Sequence, residues 1–151
     1  MNAYMNQYHE NQILTASKEQ ILIMLYDGAI RFCRQAMAAN NAGNRTVKLE
    51  KSGKVLAIVT EFSNSLNHEI GGDIAENLDA LYHFMIRELM ESRKVDSNDH
   101  LQVVETLLLD LRQTWAEAIE INKKDQNVAL PKQQEKTQEP QLARTTISAA
   151  G

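Results

Sequence analysis

From Ser17 to Lys124 the chain carries no proline; its two prolines, Pro131 and Pro140, both come later. An interior proline removes a backbone hydrogen bond and clashes with the preceding turn, so a stretch of this length without one can run as long helices. The stretch is also rich in Ala, Leu, Glu, Gln and Met, the side chains that cost a helix least. Its apolar residues recur with the 3.6-residue period of amphipathic helices.

Four segments follow from that period. The first runs from Lys18 to Ala39, with Ser17 and Gln20 at capping-box spacing, and it ends in the turn-rich cluster Asn40 to Asn44. Its apolar stripe is Ile21, Leu25, Gly28, Phe32 and Ala36, with Leu22, Ala29 and Cys33 beside it. The second runs from Thr46 to His68, carried by Leu49, Leu56, Val59 and Leu66, and Gly71-Gly72 is expected to stop it. The third begins at the capping pair Asp73 and Glu76, uses Ile74, Leu78, Leu81, Met85 and Leu89, and fades near Lys94. The fourth runs from His100 to Lys124 with Leu101, Val104, Leu108, Leu111, Trp115 and Ala118 in register. Short connections between four helices of about 20 residues predict an antiparallel up-down four-helix bundle, all-α, rather than a bundle with long crossovers. The expected organisation is an N-terminal arm at 1–16, a bundle at 17–124 and a tail at 125–151. The tail holds too few large apolar residues to offset the entropy of ordering and is expected to be disordered.

Chemistry is hard to place in this pattern. A lone cysteine, Cys33, excludes an internal disulfide, and on an apolar helical face it reads as a buried thiol. A di-iron bundle needs Glu-x-x-His on two helices. The residues three before the four histidines are Asn6, Ser65, Ala80 and Ser97, none of them acidic. No phosphate-cradling glycine loop and no nucleophile–base spacing occur, so no enzyme, metal or cofactor is expected. A net charge of −4 argues against nucleic acid, and no apolar run approaches the ~18 residues of a membrane span. Residues 1–12 are polar and do not read as a secretory signal, which makes the cytoplasm the expected compartment. Arg45, Lys48, Lys51 and Lys54 form a basic stripe along the second helix, expected to be a solvated face, with contact to an acidic partner or nucleic acid as the alternative.

The six residues Ile21 to Tyr26 are all apolar and point all round a helix, whereas a bundle needs one stripe. Such a helix is either ordinary deep core with some exposed Ile or Leu, or covered on its far side by the N-terminal arm or by a partner. A hydrophobic groove that takes a partner helix is one such use, and self-association into a structural oligomer is another.

The same region carries a resemblance. Tyr8-His9-Glu10-Asn11-Gln12-Ile13-Leu14-Thr15-Ala16-Ser17, followed by Leu22 to Ala29, resembles the opening of the FliS family of flagellin-specific secretion chaperones. Gly71 to Leu78, with Leu81-Tyr82 and Met85-Ile86-Arg87, is similar to its middle segment. Leu107 to Arg112, Thr114-Trp115 and Ala118 are similar to its last helix. The resemblance extends from Tyr8 to Ala118, with Lys18 and His83 as small departures. The segment past Gln126 matches no motif of the family.

The resemblance implies an antiparallel four-helix bundle that binds the disordered C-terminal segment of flagellin in the cytoplasm. Such a protein prevents premature polymerisation and delivers flagellin to the flagellar type III export apparatus. It also implies an N-terminal segment that covers part of the binding surface, and it leaves room for a regulatory protein as a further partner. Neither nucleic acid nor membrane insertion is expected. The expected groove or arm residues are Tyr8, Ile13, Leu14, Leu22, Ile23, Tyr26 and Tyr82. Asn11, Gln12 and Asp27 are expected to hydrogen-bond the arm to the helix start, while Leu25 and Trp115 are expected in the core.

Overall fold

A computed structural model describes residues 17–129, with side chains through 125. Four helices follow one another: α1 (Lys18–Asn41), α2 (Arg45–Asn64), α3 (His68–Ser92) and α4 (Asp99–Ala129). Each helix packs on its neighbours in sequence, and α4 closes the ring against α1, which is the up-down four-helix bundle expected from the short connections. The arm at 1–16, with Tyr8, Asn11, Gln12, Ile13 and Leu14, lies outside the described residues, as does the chain from 130 on.

The first cap is the one the sequence announces. Ser17 Oγ accepts the Gln20 N–H at 3.2 Å, and Gln20 Oε1 accepts the Ser17 N–H at 2.9 Å, so two orphan donors are satisfied reciprocally. Asn44 caps α2 and Asn67 caps α3 with one bond each, the side-chain oxygen accepting the Val47 N–H and the Ile70 N–H. Gly43, at φ 72°, makes the left-handed residue of the α1–α2 turn.

The boundary between α2 and α3 differs from the expectation. α2 ends at Asn64 rather than His68, and α3 starts at His68 under the Asn67 cap, ahead of Asp73. Gly72, at φ 50° and ψ −124°, kinks α3 near its start instead of terminating α2. The glycine does what only glycine does cheaply, but it bends a helix that has already begun.

The core stripe of α1 is Leu22, Tyr26, Ala29, Cys33 and Ala36, displaced by one position from the expected line. Leu25, expected in the core, is 39% exposed, because it sits on the α2-facing flank. Opposing helices contribute Val55, Val59 and Phe62 from α2, Leu78, Tyr82, Met85 and Leu89 from α3, and Leu101, Val104, Leu108 and Trp115 from α4. Trp115 is buried as expected. Among the described residues, no helix is long and apolar enough to cross a membrane.

Polar clamps hold one end of the bundle. Asn40 Nδ2 donates to the Asp96 carbonyl at 2.6 Å and to Asn98 Oδ1 at 2.9 Å, tying the α1 end to the α3–α4 loop. Lys48, expected on a solvated face, is almost fully buried and donates from Nζ to the Val95 carbonyl at 2.6 Å. Burial, with Arg45 nearby, pulls its pKa below the ordinary lysine value. Arg45 donates to the Arg93 carbonyl, and Arg93 donates in turn to the Leu49 carbonyl and Ser52 Oγ. The first part of the basic stripe therefore satisfies the carbonyl end of α3, as cations near a helix C-terminus do.

Candidate functional site

The α1–α4 flank is built on an antiparallel register that three contacts fix. Asn40 meets Asn98, Arg34 Nε donates to Glu105 Oε2 at 2.6 Å, and Arg112 Nε donates to Asp27 Oδ1 at 2.6 Å. Beneath them the Cys33 Sγ–H donates to the Leu101 carbonyl at 3.2 Å. Burial, with Glu105 second, pushes the Cys33 thiol up to about 12, so this sulfur is a packed hydrophobe and no nucleophile.

Outside that inner layer lies an open groove of about 700 Å³ lined by Asp27, Ile30, Arg31, Arg34, Gln35, Ala38, Leu109 and Arg112. It continues along α4 past Gln113, Ala116, Glu117 and Glu120. Its floor is apolar, with Leu109 38% exposed, and its rim is charged. The hydrogen bond from Arg112 to Asp27 pushes the guanidinium above its ordinary pKa.

A second apolar flank runs between α3 and α4. His100 Nδ1 lies 3.1 Å from Glu88 Oε1, which fixes the register there. Counting whole turns from that contact places Ile74, Leu81 and Phe84 on the α3 side of the seam and Val103 and Leu107 on the α4 side. Ile74, Phe84 and Val103 are each more than a third exposed. At the end of the bundle opposite the polar clamps, Ile121 is 60% exposed. Both flanks of α4 thus leave large apolar side chains at the surface while the core beneath is closed.

The expected site residues divide sharply. Tyr8, Asn11, Gln12, Ile13 and Leu14 lie outside the described residues. Asp27 stands on the groove rim, paired with Arg112. Ile23 is half-buried against the core. Leu22, Tyr26 and Tyr82 are buried in the core. The tyrosines are there because their hydroxyls satisfy each other, Tyr26 Oη to Tyr82 Oη at 2.9 Å, while Phe62 stacks on the Tyr26 ring at 4.5 Å. Of the groove-lining residues only Asp27 is expected from the sequence; Ile30, Arg31, Arg34, Gln35, Ala38, Leu109 and Arg112 are missed. Leu107-Leu108-Leu109 is a run too apolar for one stripe, and that is the signal that marks Leu109.

Among the described residues no group of three or more His, Cys, Asp or Glu is arranged to hold a metal ion. The histidines take local roles: His83 Nδ1 lies 2.9 Å from the Asp79 carbonyl one turn back, and His100 meets Glu88. What the arrangement can do is bind an apolar segment along α4.

Comparison with known proteins bears on this surface. A family profile described as flagellar protein FliS matches residues 1–122. The chain is similar to the flagellar secretion chaperone FliS of Vibrio cholerae, at 35% identity over 115 residues that make up 76% of this chain and 85% of that one. It is similar to the FliS of Salmonella typhimurium, 31% identical over 116 residues, 76% of this chain and 86% of the relative. The FliS of Bacillus subtilis is 29% identical over 120 residues, 80% of this chain and 89% of the relative.

Proposed function

The chain belongs to the FliS family of flagellar secretion chaperones, and on that premise we propose that it binds the disordered C-terminal segment of flagellin along the open apolar flanks of α4. In doing so it keeps flagellin from polymerising early and presents it to the flagellar type III export apparatus from the cytoplasm. The observation that carries this reading is the exposure of Leu109, Val103 and Phe84 over a core that is already closed. A disordered segment folding into helices would cover such flanks as an apolar face covers a groove.

Coupled folding of this kind buries on the order of 1,000–3,000 Å² and forfeits about 2–5 kcal/mol to ordering. Affinity is then moderate, which suits a cargo that must be released. Residues 1–16 join the bundle at Ser17, at the end away from the polar clamps. We assign to them the role of internal competitor, with Tyr8, Ile13 and Leu14 as anchors and Asn11 and Gln12 as hydrogen-bonding groups. Apparent affinity for cargo then falls by the fraction of molecules whose groove is open.

The test is flagellin polymerisation followed by light scattering. Stoichiometric amounts of this protein should suppress filament growth from monomers. Growth that proceeds unchanged at equimolar protein would overturn the reading.

A further inference from the structure

On the other flank of α1, facing α2, three cations gather on one aromatic ring. The Arg31 guanidinium lies 5.3 Å from the Phe32 ring centroid, Lys51 Nζ 5.6 Å and Lys54 Nζ 5.1 Å. These are cation–π distances, and the ring itself is half-buried with its inner face on the core. Among the described residues none of the three cations has a carboxylate within 4 Å. The carboxylates that lie one turn away on the same helices do not compensate them. Asp27 is drawn across α1 to Arg112, and Glu50 makes no ion pair with Lys54. Nor does Glu105 reach this flank, since it is taken by Arg34.

An uncompensated cluster of this kind is an anomaly on a chain whose net charge is −4. Two helical turns back from Phe32 on the same flank, Leu25 adds exposed aliphatic surface. The seam therefore presents positive charge, an aromatic edge and an aliphatic patch within one strip.

We propose that this α1–α2 seam docks an acidic amphipathic helix of a protein partner, its carboxylates on Arg31, Lys51 and Lys54 and its apolar side chains on Leu25 and Phe32. The match is of charge and of surface type, and opposite potentials of this sort fix register and speed encounter. Nucleic acid fits less well, because it is held by many phosphate contacts over a broad basic face and the chain as a whole repels it. The seam meets the α1–α4 groove only at Arg31, which also lines that groove, whereas Leu25, Phe32, Lys51 and Lys54 do not line it, so variants at the two lysines test the seam alone.

The test is a titration of the full-length, 15N-labelled protein with a synthetic helical peptide that alternates glutamate and leucine faces. Expected are amide shifts centred on Leu25, Phe32, Lys51 and Lys54, with affinity that falls as salt rises. Lys51→Glu with Lys54→Glu should weaken binding by about tenfold or more at low salt, while circular dichroism stays at the wild-type level. The milder pair K51Q and K54Q, which removes charge without adding any, should weaken it by a smaller factor. Absence of shifts, shifts centred elsewhere, equal binding by the lysine variants, or tighter binding of a single-stranded RNA of the same length would each overturn the proposal.

Discussion

The hydroxyls of Tyr26 and Tyr82 meet 2.9 Å apart in the core, each the other's partner across 56 residues of sequence. The pair ties α1 to α3, and Phe62 of α2 packs on both rings, at 4.5 Å and 5.5 Å. Removing one hydroxyl takes away the 2.9 Å bond but leaves the other beside Trp115, and a lost intramolecular hydrogen bond costs about 0.5–1.5 kcal/mol. Tyr26→Phe and Tyr82→Phe should each destabilise the bundle by that order in urea unfolding. The double variant should cost less than the sum, because the two single variants remove the same hydrogen bond.

Burial also sets the alkaline limit of the fold. Tyr82 is pushed up to about 12, with burial the largest cause, and Tyr26 is raised well above the usual tyrosine value by burial and by Tyr82. Cys33 is likewise raised to about 12. A group whose folded pKa is raised stabilises fully below its unfolded pKa and loses that contribution as pH rises through the folded value. Stability should therefore be flat through neutral pH and fall between roughly 9 and 12. Ultraviolet difference titration should show the phenolates of Tyr26 and Tyr82 emerging only together with loss of helicity.

Much of this fold is legible from the chain. The proline-free stretch, the Ser17–Gln20 cap, the Asn40 to Asn44 turn and the apolar period give four helices and their order. The core stripe on α1 was displaced by one residue because Ile21 to Tyr26 is apolar at every position. Periodicity cannot choose a face there, and only the neighbouring helices do. Tyr26 and Tyr82 look like groove residues until the hydroxyl of each supplies the other's partner. Lys48 looks like a surface cation until the Val95 carbonyl, 47 residues away, claims its ammonium. Those pairings are tertiary, and no local pattern announces them.

Lys48 gives a further prediction. Lys48→Met keeps the stem and removes the donor, which leaves the Val95 carbonyl without that partner. The variant should lose about 1–3 kcal/mol of stability. Amide exchange in 93–98, the segment that Arg45, Lys48 and Asn40 hold, should quicken more than in the helices.

The open groove predicts a separation of binding from stability. Leu109→Asp places a carboxylate on a surface position and should change thermal stability little, while weakening flagellin binding by about tenfold or more. Leu108, its fully buried neighbour, should behave in the opposite way, with Leu108→Asp unfolding the bundle. Circular dichroism and a binding isotherm on the same two variants check both.

The Asp27–Arg112 pair at the groove rim is roughly half exposed and contributes little to stability, about 0–1 kcal/mol. Asp27→Ala should leave the unfolding midpoint nearly unchanged.

The most direct measurement of the central claim is calorimetric titration of this protein with full-length flagellin and with flagellin lacking its C-terminal segment. One-to-one binding to the full-length form and none to the truncated form is the predicted result. Equal binding to both would contradict a C-terminal cargo on the flanks of α4.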